Sequence, residues 1–223
     1  MKPTKEYNGR SRIRMFNMDN RDFMNQVDDN YYDLAICDPP YGIGEANEKQ
    51  MATRHHSQKK YKGGEWDLIK PTPEQIELVS RKSKNQIMWG ANHYIDNFPF
   101  NVDSPCWVFW DKDRYGDFAD GELAWTSFKT AVRKIEYTWD GFRKKHPQER
   151  IHCTEKPIGL YKWLLRNYAE LNQKIFDGWG GSMSIAIACW DLGFDLDIIE
   201  LDPDYFNDAV KRFENHISQT QLF

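Results

Sequence analysis

The stretch KIFDGWGGSMSIAIACWDLGFDLDIIELD, residues 174–202, decides the fold. Residues 174–176 and 195–199 are short runs weighted towards Ile, Leu and Phe, and they read as strands. Between them Gly178, Gly180 and Gly181 form a turn, and 182–192 has the length and apolar content of a helix. Strand, glycine turn, helix and strand make one βαβ unit, whose two strands run parallel in a sheet. Glycines let the backbone turn tightly and lie close to a bound molecule.

The same alternation extends over the chain. Further strands are expected at 13–17, 33–37, 85–89, 106–110 and 134–138, and helices at 72–83, 157–171 and 203–216. Pro157 and Pro203 fall where a first helical turn tolerates proline. The pattern predicts an α/β fold of Rossmann-like type, a seven-stranded, mostly parallel sheet with helices on both faces. The polar, basic segment 43–70 reads as a loop or lid.

With 223 residues, 40% hydrophobic and 15% aromatic, the chain fits a single domain, 1–223, around one sizeable core. No apolar run approaches the ~20 residues that span a bilayer, and MKPTKEYNGRSR lacks the apolar segment of a secretory signal. A cytoplasmic protein without membrane association is expected. Cys37, Cys106, Cys153 and Cys189 show no C-x-x-C spacing and read as reduced thiols. His55 and His56 lack partners at metal spacing, so no metal site is expected.

The net charge of -4 does not announce a nucleic-acid binder, but local charge differs. RHHSQKKYK (54–62) carries Arg54, Lys59, Lys60 and Lys62, and RKKHPQER (143–150) carries Arg143, Lys144 and Lys145. Each run could neutralise phosphates, and each alone reads equally well as a solvated loop.

Two segments could build a site. Glu200 ends its strand about twenty residues after the glycines, the spacing at which a carboxylate meets ribose hydroxyls. No G-x-G-x-x-G is present, so a nucleoside without phosphates fits better than a dinucleotide. The second segment is DLAICDPPYGIG, residues 33–44. Ligands of open α/β sheets bind outside the carboxyl ends of the strands, which puts Asp38, Pro39, Pro40 and Tyr41 on the glycine-turn rim. The acid and rigidly held carbonyls can accept hydrogen bonds from an exocyclic amine, and the tyrosine can stack on a planar base. A Pro-Pro loop capped by a buried tyrosine would explain P-P-Y taken alone.

In this order the segments resemble amino-group DNA methyltransferases, which methylate adenine N6 or cytosine N4. DPPY resembles their catalytic motif, FDGWGGSMSIAIA (176–188) their S-adenosylmethionine motif, and HCTEKPIGLYKWLL (152–165) the H-P-T-Q-K-P segment before it. NQIMWGANHY (85–94) and FADGELAWTSF (118–128) resemble segments of small phage and prophage methylases. Catalytic motif first and cofactor motif last is the permuted order of the β class, and the resemblance spans about 12–213. It implies the fold of S-adenosylmethionine-dependent methyltransferases, with a catalytic half at about 12–110, a target-recognition segment at 111–150, a cofactor half at 151–216 and a tail at 217–223.

The resemblance also implies roles. Asp38, Pro39, Pro40 and Tyr41 would be catalytic. Asp19, Asp38, Thr154, Lys156, Asp177, Gly178, Trp179, Gly181, Ser182, Ser184 and Glu200 would surround the cofactor, with Asp19 at its adenine amine and Thr154 and Lys156 at its methionine moiety. The substrate would be a flipped base in double-stranded DNA. Aspartate before P-P-Y leans towards adenine, since cytosine-N4 enzymes more often carry serine there.

The family's cofactor motif reads D-P-F-x-G-S-G-T. Here Trp179 keeps the aromatic ring, while Met183 replaces the second glycine and would crowd the methionine end. Glu155 replaces glutamine and Cys153 proline. The alternatives are a cytosine-N4 enzyme and a non-catalytic DNA-binding module with a degenerate cofactor site. A C5 mechanism through Pro105-Cys106 is rejected, because Cys106 opens the apolar run CWVFW. The short recognition segment suggests a short target or a homodimer. Gln219, Leu222 and Phe223 resemble the Q-x-x-L-F peptide that docks on bacterial sliding clamps.

Overall fold

The computed structural model describes residues 1–44, 68–113, 119–138 and 155–220. Among these, nine strands form one sheet: β1 (Lys5–Asn8), β2 (Arg12–Asn17), β3 (Tyr32–Cys37), β4 (Ser83–Trp89), β5 (Trp107–Asp111), β6 (Gly121–Thr126), β7 (Arg133–Glu136), β8 (Lys174–Asp177) and β9 (Asp195–Glu200). Their spatial order is β1-β2-β9-β8-β3-β4-β6-β5-β7. Strands β2, β9, β8, β3 and β4 run parallel, β1 and β6 are antiparallel to their neighbours, and β5 pairs β7 in parallel. The helices are α1 (Asn20–Met24), α2 (Pro73–Lys82), α3 (Ile158–Tyr168), α4 (Ser184–Leu192) and α5 (Pro203–Thr220).

The expected α/β class and mostly parallel sheet are found, but the count of seven strands is corrected to nine. β1, KEYN, is a polar edge strand that buries no residue fully, so it carries no apolar alternation to read. β6, GELAWT, opens on a glycine and an acid and lies inside the segment expected to read DNA. α1 has five residues, too few for a helical period. The helix expected at 157–171 stops at Tyr168, and α5 extends to Thr220.

The period-two alternation of the strands sorts side chains into two cores. Ile13, Met15, Leu34, Ile36, Ile87, Trp89, Ile175, Leu196 and Ile198 face one core, together with Leu160 and Leu164 of α3, Ile185 of α4 and Phe213 of α5. Phe16, Ala35, Cys37, Met88, Phe176 and Ile199 face the other, with Phe23 of α1 and Ile76 and Val79 of α2. Central strands covered on both faces read as near-continuous apolar runs, as LAIC in β3 does. Cys37, Cys106 and Cys189 are buried free thiols. Among the described residues no helix is long and apolar enough to cross a membrane.

One buried polar group interrupts the second core. The Asp197 side chain of β9 is 6% exposed and pairs with Arg14 of β2. Arg14 Nε donates to its Oδ1 at 2.6 Å, and the Tyr32 hydroxyl of β3 donates to its Oδ2 at 2.6 Å. Burial, then the Asp197 charge, push the Tyr32 hydroxyl pKa well up. Removing one partner of such a pair strands the other in low dielectric. Asp197→Ala is therefore expected to destabilise the fold by about 3 kcal/mol, read as a lowered midpoint in urea unfolding with an unchanged slope.

Candidate active site

β8 leads through α4 to β9 on one side of the sheet, while β3 leads through α2 to β4 on the other. Strands β3 and β8 are neighbours, pairing Leu34 with Ile175 and Ala35 with Phe176. Where connections leave in opposite directions, a crevice opens at the carboxyl ends of the strands. Asp38 follows β3 into that crevice and Asp177 ends β8 beside it.

On the β8–β9 side, Glu200 holds the glycine turn. Its Oε2 accepts from the Gly181 N–H at 2.7 Å and its Oε1 from the Asp202 N–H at 2.8 Å. The Gly180 N–H donates to the Ile199 carbonyl at 2.6 Å, and a Cβ at Gly180 would lie 3.1 Å from that same carbonyl. Gly181 has φ +49, and a Cβ there would meet nothing within 4 Å. The turn thus packs on β9 with its inner glycine and turns its outer one to open space. Burial raises the Glu200 pKa to about 7 against the backbone N–H groups of Asp202, Gly181 and Leu201, which pull it down. Asp177, 1% exposed, accepts from the Trp179 N–H at 2.9 Å, and burial pushes its carboxyl well up. A half-buried ring at Trp179, an open glycine and a strand-end carboxylate that accepts from hydroxyls are a set of groups that fits an adenosine moiety.

Asp19 caps α1, accepting from the Arg21 N–H at 2.8 Å and the Asp22 N–H at 3.4 Å, and it pairs with Arg21 at 3.2 Å. The Asn20 amide reaches the Gly178 carbonyl at 3.1 Å and ties α1 to the turn. Met183 takes the left-handed conformation at φ 53 that a glycine would favour, while its side chain is fully buried in the first core. Arg212 of α5 donates to the Ser182 carbonyl at 2.8 Å, to the Ser184 hydroxyl at 3.0 Å and to Glu155 at 3.0 Å. The charge that Glu155 carries in place of glutamine is thus met by a guanidinium.

On the β3 side, four polar groups converge. Lys156 Nζ bonds to Asp38 Oδ1, donates to the Tyr41 hydroxyl at 2.8 Å and lies 3.1 Å from Glu122 Oε2. The Tyr41 hydroxyl lies 2.9 Å from both Asp38 Oδ1 and Glu122 Oε2 and can donate to either. Lys112 closes the outer side of Glu122 at 2.5 Å. Among the described residues both side-chain bonds to Asp38 fall on Oδ1 and none on Oδ2. The Lys156 side chain is 4% exposed and that of Asp38 18%. Burial raises the Asp38 pKa, Lys156 opposes it and Glu122 adds to it. Glu122, its side chain 21% exposed, is pushed up by partial burial, yet Lys156 and Lys112 together hold it down at about 2.

Tyr41 is fixed by more than its hydroxyl. Gly90, at φ +66 just after β4, lies under its ring, and a Cβ there would come within 2.1 Å of Tyr41 Cε1. The exposed His93 ring runs parallel to Tyr41 at 5.3 Å and 11°.

The fold therefore brings Asp38, Pro39, Pro40, Tyr41, Lys156, Asp177, Gly178, Trp179, Gly181, Ser182, Ser184 and Glu200 to one rim. Lys156, expected at a methionine moiety, contacts the Asp38 cluster. Thr154, Arg54, Lys59, Lys60, Lys62, Arg143, Lys144, Lys145, Leu222 and Phe223 lie outside the described residues, and Gln219 is an exposed residue of α5. Sequence reasoning missed Glu122, Gly90, His93, Asn20 and Arg212 as parts of the site. Glu122 stands in the half-polar start of GELAWT, and only its contacts across the sheet mark it as part of the site.

No family model matches the chain, and no curated protein does. Solved structures do. The M1.HpyAVI–SAM complex aligns with TM-score 0.56 at 18% identity over 90% of this chain and 99% of that one. PvuII DNA methyltransferase (cytosine-N4-specific) aligns with TM-score 0.61 at 12% identity over 92% of this chain and 90% of that one. TTHA0409, a candidate DNA modification methylase from Thermus thermophilus complexed with S-adenosyl-L-methionine, gives TM-score 0.56 at 14% identity over 91% and 93%. The chain has the Rossmann-like α/β fold of these proteins.

Proposed function

We propose that the chain is an S-adenosylmethionine-dependent DNA methyltransferase, and that its target is the N6 amine of a flipped adenine. One observation carries the reading: Asp38, whose Oδ2 takes no bond from the described side chains, stands at the end of β3 directly beside the β8 glycine turn. The crevice thus joins an amine acceptor to a nucleoside-type pocket. When bound, S-adenosylmethionine supplies an electrophilic methyl group on a sulfonium.

The chain's own residues do the rest. The lone pair of an adenine amine is delocalised into the ring, which makes it a poor nucleophile. Asp38 Oδ2 and the Pro39 carbonyl accept its two N–H bonds, favouring a pyramidal nitrogen whose lone pair points along the transfer line. Tyr41, clamped over Gly90 and parallel to His93, offers a stacking face to the extruded base. Glu200 holds ribose hydroxyls, and Trp179 covers the adenine of the cofactor. Cytosine N4 is the second reading, favoured by the name of the PvuII neighbour.

DNA is held by the two basic runs, 54–62 and 143–150. In sequence the runs lie between Gly44 and Leu68 and between Thr138 and Glu155, whose described flanks Gly44, Leu68 and Glu155 lie at or next to the site. The ends of the first interval meet beside Tyr41, where a Cβ at Gly44 would lie 3.1 Å from Leu68 Cδ2. The clamp peptide and a homodimer stay part of the proposal as routes to DNA.

Four outcomes test this. Expression in a methylation-deficient host, followed by base-resolved sequencing, should show methyl groups on adenine at a short recurring site. Asp38→Ala should lower transfer at least ~100-fold, and near wild-type transfer by that variant would exclude the mechanism. Cofactor affinity should strengthen as pH rises through about 7, where Glu200 ionises. The sign follows from linkage, because hydroxyl donors bind the carboxylate better than the acid, so binding below that pH releases a proton. Calorimetry in buffers of different ionisation enthalpy reads this release, and Glu200→Gln should abolish it. Lys59→Ala with Lys60→Ala should flatten the salt dependence of DNA binding by about 0.9 in log–log slope for each phosphate that the variant no longer neutralises.

A further inference from the structure

We propose that Glu122 is a positioning residue for the methyl-transfer site: by sharing Lys156 with Asp38, it keeps the Asp38 carboxylate available to the amine. This rests on the reading given above for Asp38. Glu122 belongs to β6, well outside both the DPPY and the glycine-turn segments.

The geometry makes Lys156 the joint between two acids. Its ammonium, nearly out of solvent, is bonded to Asp38 Oδ1 and lies 3.1 Å from Glu122 Oε2. It also lies over aromatic faces, with Nζ 5.2 Å from the Tyr41 ring centroid and 5.4 Å from that of Trp89. A buried lysine paired with a single carboxylate would neutralise that carboxylate and weaken it as an acceptor. A second, largely buried carboxylate on the same ammonium divides the attraction. Glu122 is suited to this because Lys156 and Lys112 hold it ionised, so its charge stays constant while Asp38 works. Glu122 also fixes the orientation of Tyr41, whose hydroxyl is equidistant from both acids. Lys156 and Tyr41 stay on Oδ1, and Oδ2 is left for the amine.

Asp38 faces other titratable groups on each element packed against it. Asp177 ends β8, Cys37 ends β3, Tyr94 follows β4 and Tyr161 lies on α3, and each interacts electrostatically with the Asp38 carboxylate. Burial pushes all four up in pKa, so Cys37, Tyr94 and Tyr161 stay neutral where Asp38 titrates, and Asp177 is held towards its neutral form. Lys156 and Glu122 are left as the pair that sets its behaviour.

The test uses full-length protein labelled at aspartate carboxyl carbons, with Asp38→Asn assigning the resonance. Glu122→Gln should lower the Asp38 titration midpoint, because a neighbouring negative charge is lost while Lys156 remains. Lys112→Met should raise it, because Glu122 then leans more fully on Lys156. In turnover assays Glu122→Gln should lower kcat roughly tenfold, about 1.4 kcal/mol, with KM for S-adenosylmethionine little changed, and move the acidic limb of the pH profile down. Opposite shifts in the two variants support the proposal. An unmoved midpoint, or shifts of the same sign, overturn it even if kcat falls, since that pattern belongs to a merely structural residue. Opposite shifts in a protein that transfers no methyl group would leave the charge sharing standing and dismiss the function proposed for it.

Discussion

Parallel pairing of β3 with β8 sets Ala35 against Phe176, and every other feature of the rim is measured from that contact. The two strands are distant in sequence and their connecting helices leave in opposite directions, so neither α2 nor α4 covers the space between their carboxyl ends. Shifting β3 by one residue would turn Leu34 and Ile36 out of one core and Ala35 and Cys37 out of the other. The buried register therefore fixes where Asp38 stands with an accuracy that loop residues alone could not give. The Asp197–Arg14–Tyr32 group acts in the same sense from the opposite end of the sheet, tying β9, β2 and β3 together by directional bonds.

The rim is rich in acid. Asp38, Asp177, Glu200 and Glu122 are all withdrawn from water to some degree, and only Lys156 and Lys112 answer them among the described side chains at this cluster. Burial alone would neutralise carboxylates by protonation. The fold resists this unequally: Glu122 has two ammonium partners, Glu200 two peptide N–H donors and Asp177 one. Such a gradient of charge suits a pocket that, in the function proposed, receives a cationic cofactor and a neutral amine. The attraction for anionic DNA would then have to lie elsewhere, and the lysine-rich runs at 54–62 and 143–150 are where the sequence concentrates it.

Legibility in the sequence followed burial. β3, β4, β8 and β9 are covered on both faces, so their apolar runs are continuous and their ends fall within a residue or two of expectation. β1 and β6 are an edge strand and a strand with a half-polar start, and composition gave no period to find. The glycine turn and DPPY were readable because each needs residue types that fill no other role well. Glu122, His93 and Gly90 were not, because their meaning lies in contacts across the sheet: Gly90 matters only when the Tyr41 ring is known to lie on it. Lys156 was legible as a site residue but not as a partner of Asp38, since its placement depends on where α3 begins relative to β3.

Met183 and Glu155 both depart from the motifs of the methyltransferases that the chain resembles, Met183 alone argues in sequence for a degenerate cofactor site, and the structure gives each a physical place. Met183 adopts the left-handed backbone that glycine would take, at a cost of about 1 kcal/mol. Its side chain turns into the core, where burial of an apolar chain offsets that cost by roughly 1.5–3 kcal/mol. The turn conformation is thus kept without glycine. Glu155 brings a buried charge, and Arg212 meets it while also bonding the Ser182 carbonyl and Ser184 hydroxyl. The Arg212 guanidinium thereby braces the segment before α3 against the start of α4. Each departure from the motifs that the chain resembles is thus compensated at the position where it occurs, by core burial for Met183 and by a guanidinium for Glu155.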